Sequence, residues 1–166
     1  LRSQPSDPPL SFATARAAIC ARNLPRAQEL VNSLKVSHGA SLEWGYLNIY
    51  LQETCGSQTE LLQAITSLIE LHPTIDPHVY LRAVTLGRAV HPEQSPQYMR
   101  LLEQGIATHP KALPLRIGLL SIQESTLKHC DAVSTIDDIM KEFPTLNQAQ
   151  WVSRKNKAIE ECKSHG

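Results

Sequence analysis

Seven histidines and four cysteines are the side chains in this 166-residue chain whose types could hold a metal or attack a substrate. A metal centre legible in sequence needs ligands that spacing brings to one side, as in CxxC or HExxH, and neither motif occurs. His72, His91 and His109 each stand directly before a proline. At a helix end the imidazole can bond a terminal carbonyl and suits the negative pole of the helix. His129 and Cys130 are adjacent, and neighbours on a helix or turn do not readily both face one site. A Cys–His nucleophile would also need an oxyanion donor and a convergent third group, and neither has a candidate. The expectation is a chain that is not an enzyme, with no catalytic residue, no metal and no cofactor.

The cysteines, Cys20, Cys55, Cys130 and Cys162, stand 35, 75 and 32 residues apart. With no CxxC pair they read as free thiols in a reducing compartment, the alternative being a disulfide. The one basic cluster is Arg154-Lys155-Asn156-Lys157. Arg154, Lys155 and Lys157 are the candidates for nucleic-acid contact, against the plainer reading of a solvated last helix. No aromatic residues interleave them as single-strand binding favours. Net charge is zero, which gives no electrostatic pull towards nucleic acid or an anionic membrane, so direct nucleic-acid binding is not expected. No apolar run reaches the roughly 18 residues of a membrane span. Gly45, Gly87, Gly105 and Gly118 fall singly inside helical stretches and form no phosphate loop. Gly105 sits where close packing against the next helix explains it.

The elements that carry these residues recur. Four helical cassettes end at Gly39, Pro73, Pro110 and Pro144, spaced 34, 37 and 34 residues apart, the signature of stacked helix pairs. Twelve residues before each end sit Ala27, Leu61, Tyr98 and Ala132, and eight before sit Val31, Ile65, Leu102 and Ile136. Leu34, Leu68, Gly105 and Ile139 stand five before, with Lys35, Ile69, Ile106 and Met140 next to them. These offsets trace one face of an amphipathic helix.

Residues 1–10, with Pro5, Pro8 and Pro9, read as an extended tail. The rest reads as one helical-repeat domain over 11–166, with units at about 11–39, 40–73, 74–110 and 111–144 and a terminal helix at 145–163. Ser41 and Asp76 are expected caps, and Pro25 and Pro77 suit first helical turns. The linker 92–96 supplies the extra residues of the longer period. About nine helices and no convincing strand give the fold class: all-α, a right-handed α-solenoid of antiparallel helix pairs. The start at Leu1, without methionine or a secretory h-region, reads as a segment cut from a longer protein.

The residues Ala132, Ile136, Ile139 and Pro144, and nearly as well Leu61, Ile65, Leu68 and Pro73, resemble the second-helix pattern of tetratricopeptide (TPR) repeats. The run from Trp44 to Glu53 is similar to a first helix of the half-a-tetratricopeptide (HAT) type, and the run from Ile117 to Glu124 echoes it. The resemblance covers about residues 24–144. Gly39 in place of the first proline, Tyr98 at a small position and the absence of tryptophan from helices five and seven fit the irregular half-type better than a regular array.

The resemblance implies a protein–protein interaction scaffold within a larger multisubunit complex, of a kind associated with RNA processing and with the nucleus among intracellular sites. It implies a partner that is another protein chain or peptide, a second copy of the chain included, and no membrane. The alternatives are a helical-repeat RNA-binding domain and, more distantly, a helical enzyme. A binding face lined by the first helices would offer Trp44, Asn48, Tyr80, Arg82, Arg116 and Gln123. Trp151 and Val152 on the last helix would either cap the stack or dock a partner.

Overall fold

A computed structural model of the chain describes residues 8–165. Among the described residues there are nine α-helices and no strand: α1 Pro8–Cys20, α2 Leu24–His38, α3 Leu42–Cys55, α4 Gln58–Leu71, α5 Pro77–Val90, α6 Ser95–Thr108, α7 Leu113–Ser125, α8 His129–Glu142 and α9 Gln148–His165. Helix α1 starts at Pro8, inside the stretch expected as a tail; residues 1–7 of that expectation lie outside the described residues. The linker after α5 is a 3-10 turn, Pro92–Gln94, that runs into α6.

The helix starts follow local chemistry. The Asn23, Ser41 and Asp76 side chains accept from the backbone N–H groups of Arg26, Trp44 and His78. Ser57 and Glu60 form a reciprocal capping box at α4, satisfying two otherwise orphaned donors. The carboxyl of Glu60 is held below its usual range, first by the Ser57 backbone N–H and then by the Ser57 hydroxyl.

The stops repeat. His72, His91, His109 and Phe143 each precede a proline, and all take φ between −128 and −136° with ψ between 66 and 70°. Proline disfavours the α conformation in its predecessor, and at these four helix ends the residue before it takes the same geometry. Gly39 ends α2 differently, staying right-handed at φ −59°. Two first helices stop by a third device. Arg22 and Leu127 take left-handed φ of 54° and 58°. Around them Asn23 N–H bonds Ala18 C=O and Lys128 N–H bonds Gln123 C=O, the Schellman pattern.

The chain divides into two compact units between Pro73 and Thr74, a border between two of the expected repeats. In the first unit α1 pairs with α2 and α3 with α4, while α3 also packs on α1 and α2. Its core joins Ala15, Ile19, Ala27, Val31, Leu34 and Leu51, flanked by Phe12 and Trp44. In the second unit α5–α6 and α7–α8 pair, α7 also packs on α5 and α6, and α9 lies against α8. Leu120, Ala132, Ile136 and Ile139 pack there with Trp151 and Ala158 of α9. Fully burying one leucine or isoleucine contributes about 1.5–3 kcal/mol. The expected face is the observed one: Val31, Ile65, Leu102 and Ile136 are all within 1 % of complete burial. Gly105 also fits its expected role, since a Cβ there would lie 3.0 Å from the Tyr80 ring.

One expectation is corrected. Cys130 and Cys162 form a disulfide, with Cα atoms 5.0 Å apart, rather than standing as free thiols. The antiparallel α8–α9 hairpin places the start of α8 beside the end of α9, which brings both cysteines within bonding reach. Cys20 and Cys55 are free, as expected of them, and both are exposed at helix ends.

Candidate functional site

Three of the side chains expected on a binding face are spent on packing. Trp44 is half-buried against the first core, and its indole N–H donates to the Val31 carbonyl at 3.1 Å. Tyr80 is completely buried, edge-on to His109 at 6.3 Å between ring centres, and burial raises its hydroxyl pKa. Trp151 is 9 % exposed beneath α9, while Val152 beside it is 44 % exposed. A helix that buries its tryptophan and turns polar residues outward covers the last pair, as a cap does. Asn48 is half-buried and accepts from Gln52, and Arg82 is exposed on α5.

The basic cluster is occupied within the chain. Arg154 donates through Nε and Nη2 to both carboxylate oxygens of Glu124, at 2.8 and 2.7 Å, and this pairing raises its pKa. Lys155 pairs with Asp137, and Lys157 lies 3.8 Å from Glu161. His129 Nδ1 lies 2.9 Å from Glu161 Oε2, next to the disulfide. Each cation offered for nucleic acid thus faces a carboxylate that would compete with phosphate.

The histidines before prolines also have work in the fold. His72 Nε2 lies 3.0 Å from the Ala40 carbonyl, tying the end of α4 to the turn before α3. His91 Nδ1 lies 3.5 Å from Glu93. Among the described residues no group of three His, Cys, Asp or Glu side chains could hold a metal ion.

Each unit carries a sizeable concave site. In the first unit a mainly apolar groove of about 730 Å³ opens between α1 and α3 and reaches the end of α2. Phe12 and Arg16 come from α1, His38 from α2, and Tyr46, Leu47 and Tyr50 from α3. Phe12 and His38 stack at 5.4 Å, and Tyr46 is 45 % exposed. The Tyr50 hydroxyl lies 3.2 Å from Cys20 Sγ, a hydrogen bond that raises the tyrosine's pKa. Arg16 stands exposed at the rim and pairs with no carboxylate among the described residues. On α3 the sequence expectation named Trp44 and Asn48; Trp44 faces the core, and Tyr46 and Tyr50 line the groove. An α3 that is apolar all round gives no amphipathic signal to choose between them.

In the second unit a polar groove of about 620 Å³ runs between α6 and α8, with α7 beneath. Arg116 and Gln123 both lie in it, so the structure brings these two expected residues together. They do not share a face with Arg82. On α7, Gly118 and Ser121 turn to α5, where a Cβ on Gly118 would meet Leu81 at 3.1 Å. Positions 116, 119 and 123 fall on the opposite side of the helix, towards α6 and α8.

The fold is similar to that of the MamA protein in its crystal structure, at a TM-score of 0.60 and 10 % identity, covering 94 % of this chain and 88 % of that one. A MamA RS-1 ArsTM double mutant gives a TM-score of 0.58 at 10 % identity over 98 % of both chains. TTC0263, a thermophilic TPR protein of Thermus thermophilus, is 14 % identical over 94 % of this chain and 83 % of its own, at a TM-score of 0.48. No family model matches the chain, and no curated protein matches it. At such identities a likeness speaks for architecture alone, and that architecture is an all-helical α-solenoid.

Proposed function

We propose that this chain is a non-catalytic protein-interaction module that docks a partner's apolar side chain, flanked by a carboxylate, in the α1–α3 groove. The observation that carries the reading is the groove itself. Exposed aromatic surface at Tyr46, beside half-buried Phe12 and Tyr50, is the kind of patch that marks interaction sites. Arg16 at its rim supplies a free guanidinium for a carboxylate, the pairing its planar fork suits best.

A direct RNA-binding role is disfavoured because Arg154 and Lys155 are already held by Glu124 and Asp137. The half-type repeat and the RNA-processing role rest on sequence resemblance alone. The nuclear setting is set aside, because the Cys130–Cys162 bond favours an oxidising compartment. Among the described residues no helix is long and apolar enough to cross a membrane.

Selection from a displayed peptide library tests the proposal. Enriched peptides should carry an aromatic or aliphatic anchor beside Asp or Glu. Tyr46→Ser should weaken them at least about tenfold, and Arg16→Glu should shift the preference to Lys or Arg at the flanking position. Binders indifferent to both substitutions would sink the reading. So would RNA binding that weakens steeply with salt.

A further inference from the structure

The disulfide of the second unit stands in surroundings that suit exchange. Cys130 is exposed and Cys162 half-buried, so an incoming thiol reaches the Cys130 sulfur first. Cys130 is also the second residue of α8, a helix of 14 residues. The starts of α2, α3, α4 and α5 are capped by Asn23, Ser41, Ser57 and Asp76, whereas Lys128 makes no side-chain cap bond at α8. The first-turn N–H groups and positive pole of α8 therefore lie beside Cys130 with no capping side chain to satisfy them. The charges nearest in sequence offset one another, since Lys128 precedes the pair and Asp131 follows it. A cysteine at a helix start, next to a histidine, is favoured as the thiolate, and a favoured thiolate leaves a disulfide faster.

An exchange site also needs its two sulfurs to stay together once the bond is open. One residue before each cysteine, His129 Nδ1 lies 2.9 Å from Glu161 Oε2, and the imidazole is only 7 % exposed. Ala158, one turn before Cys162, is buried in the core together with Trp151. These contacts hold the end of α9 against the start of α8 without help from sulfur. With the bond open Cys162 stays within reach of Cys130, and closure is a reaction inside one folded chain.

We propose that the Cys130–Cys162 bond is a reversible exchange site for dithiols, spent once per chain rather than turned over. A thiolate of the dithiol attacks Cys130 Sγ, and the electron pair of the S–S bond leaves on Cys162 Sγ, which takes a proton from water. The second thiolate of the dithiol then attacks its own sulfur in the mixed disulfide, and Cys130 leaves as a thiolate at the start of α8. The dithiol is oxidised to its disulfide by two electrons, and the chain is reduced to two thiols. An oxidised dithiol runs the same steps backwards. Glu161 is a positioning residue here, holding Cys162 in register through His129. The site lies in the second unit and does not rest on the α1–α3 groove.

The test uses the full chain with the exposed Cys20 and Cys55 replaced by serine, and dithiothreitol as the dithiol. Reduced reagent should open the bond and oxidised reagent close it, over repeated cycles, with the α9 amides around Trp151 protected from hydrogen exchange in both states. Glutathione disulfide added to the reduced chain should be trapped on Cys130. The Cys130 thiol left by Cys162→Ser should react with iodoacetamide at least about tenfold faster than the Cys162 thiol left by Cys130→Ser. Glu161→Ala should slow closure severalfold and leave the alkylation rate of Cys130 unchanged. Opening that occurs only as α9 loses protection would overturn the proposal, since the bond would then be a staple reached by unfolding. Equal reactivity of the two thiols, or glutathione on Cys162, would overturn the order of the steps. Closure of Glu161→Ala at the parent rate would remove the positioning role.

Discussion

The two units share a plan of helix pairs and differ in what joins them. The first unit is held by apolar packing, by caps close in sequence (Asn23, Ser41 and the Ser57–Glu60 box) and by single hydrogen bonds such as Trp44 to Val31 and His72 to Ala40. The second adds links through charged side chains and a covalent bond between distant residues. Arg154 reaches Glu124, Lys111 reaches Glu142, Arg88 reaches Ser125, and Cys130 is bonded to Cys162. Apolar packing leaves a surface free to accept another apolar surface, and the first unit shows that at Tyr46 and Phe12. Cross-links fix geometry, and the second unit carries them from α5 to α7, from α7 to α9 and from α8 to α9.

Removing core volume should show how far each unit depends on packing. Leu68→Ala and Ile136→Ala delete comparable, fully buried side chains, and each should cost as much as ~5 kcal/mol in its own unit. Chemical denaturation followed at Trp44 and at Trp151 separates the two. Equal losses at both tryptophans from either substitution would mean that the units unfold as one body.

Reduction of the disulfide should act on the second unit alone. A closed loop of about 32 residues corresponds to roughly 3–4 kcal/mol of chain entropy. Reductant, or Cys130→Ala with Cys162→Ala, should lower the transition reported by Trp151 and leave that of Trp44 in place. Arg154→Ala comes next, at about 1 kcal/mol or less, because the pair with Glu124 is partly exposed and screened.

The smallest effects lie in the helix ends. Leu127→Gly and Arg22→Gly each relieve a left-handed residue, which should stabilise the second and first units respectively by up to ~1 kcal/mol. Acid provides the matching comparison. Glu60 and Glu142 both have carboxyls depressed below their usual range, by Ser57 and by Lys111. Their contribution is present above the unfolded value of about 4.3 and is lost as pH falls through the lower folded values. Glu60→Gln should flatten the acid limb at Trp44 only, and Lys111→Ala at Trp151 only.

Much of this architecture was legible in the sequence because it rests on short-range rules. Proline sets the helix stops, and the offsets of four and three that led to Ile136 and Ile139 also led to the core. What stayed hidden was rotation. Helix α7 is apolar towards α5, α6 and α8 together, so its period cannot say that Arg116 and Gln123 turn away from Arg82. The Arg154–Glu124 contact joins residues 30 apart with no motif to announce it. The disulfide did leave a signal that the absence of CxxC obscured. Two helices joined by a short turn and carrying cysteines at opposite ends of the hairpin will bring those ends together.

The bond from Cys130 to Cys162 also changes what a protease can accomplish. Cleavage in the turn between α8 and α9, around Pro144 to Asn147, opens the backbone inside a covalent ring. The terminal helix stays attached, held by sulfur at one end and by Trp151 in the core. The nicked chain keeps its mass on a non-reducing gel and separates into two bands only after reduction. Proteolysis and reduction thus act as a logical AND at this end of the molecule: each alone leaves α9 seated, and only the two together let it go.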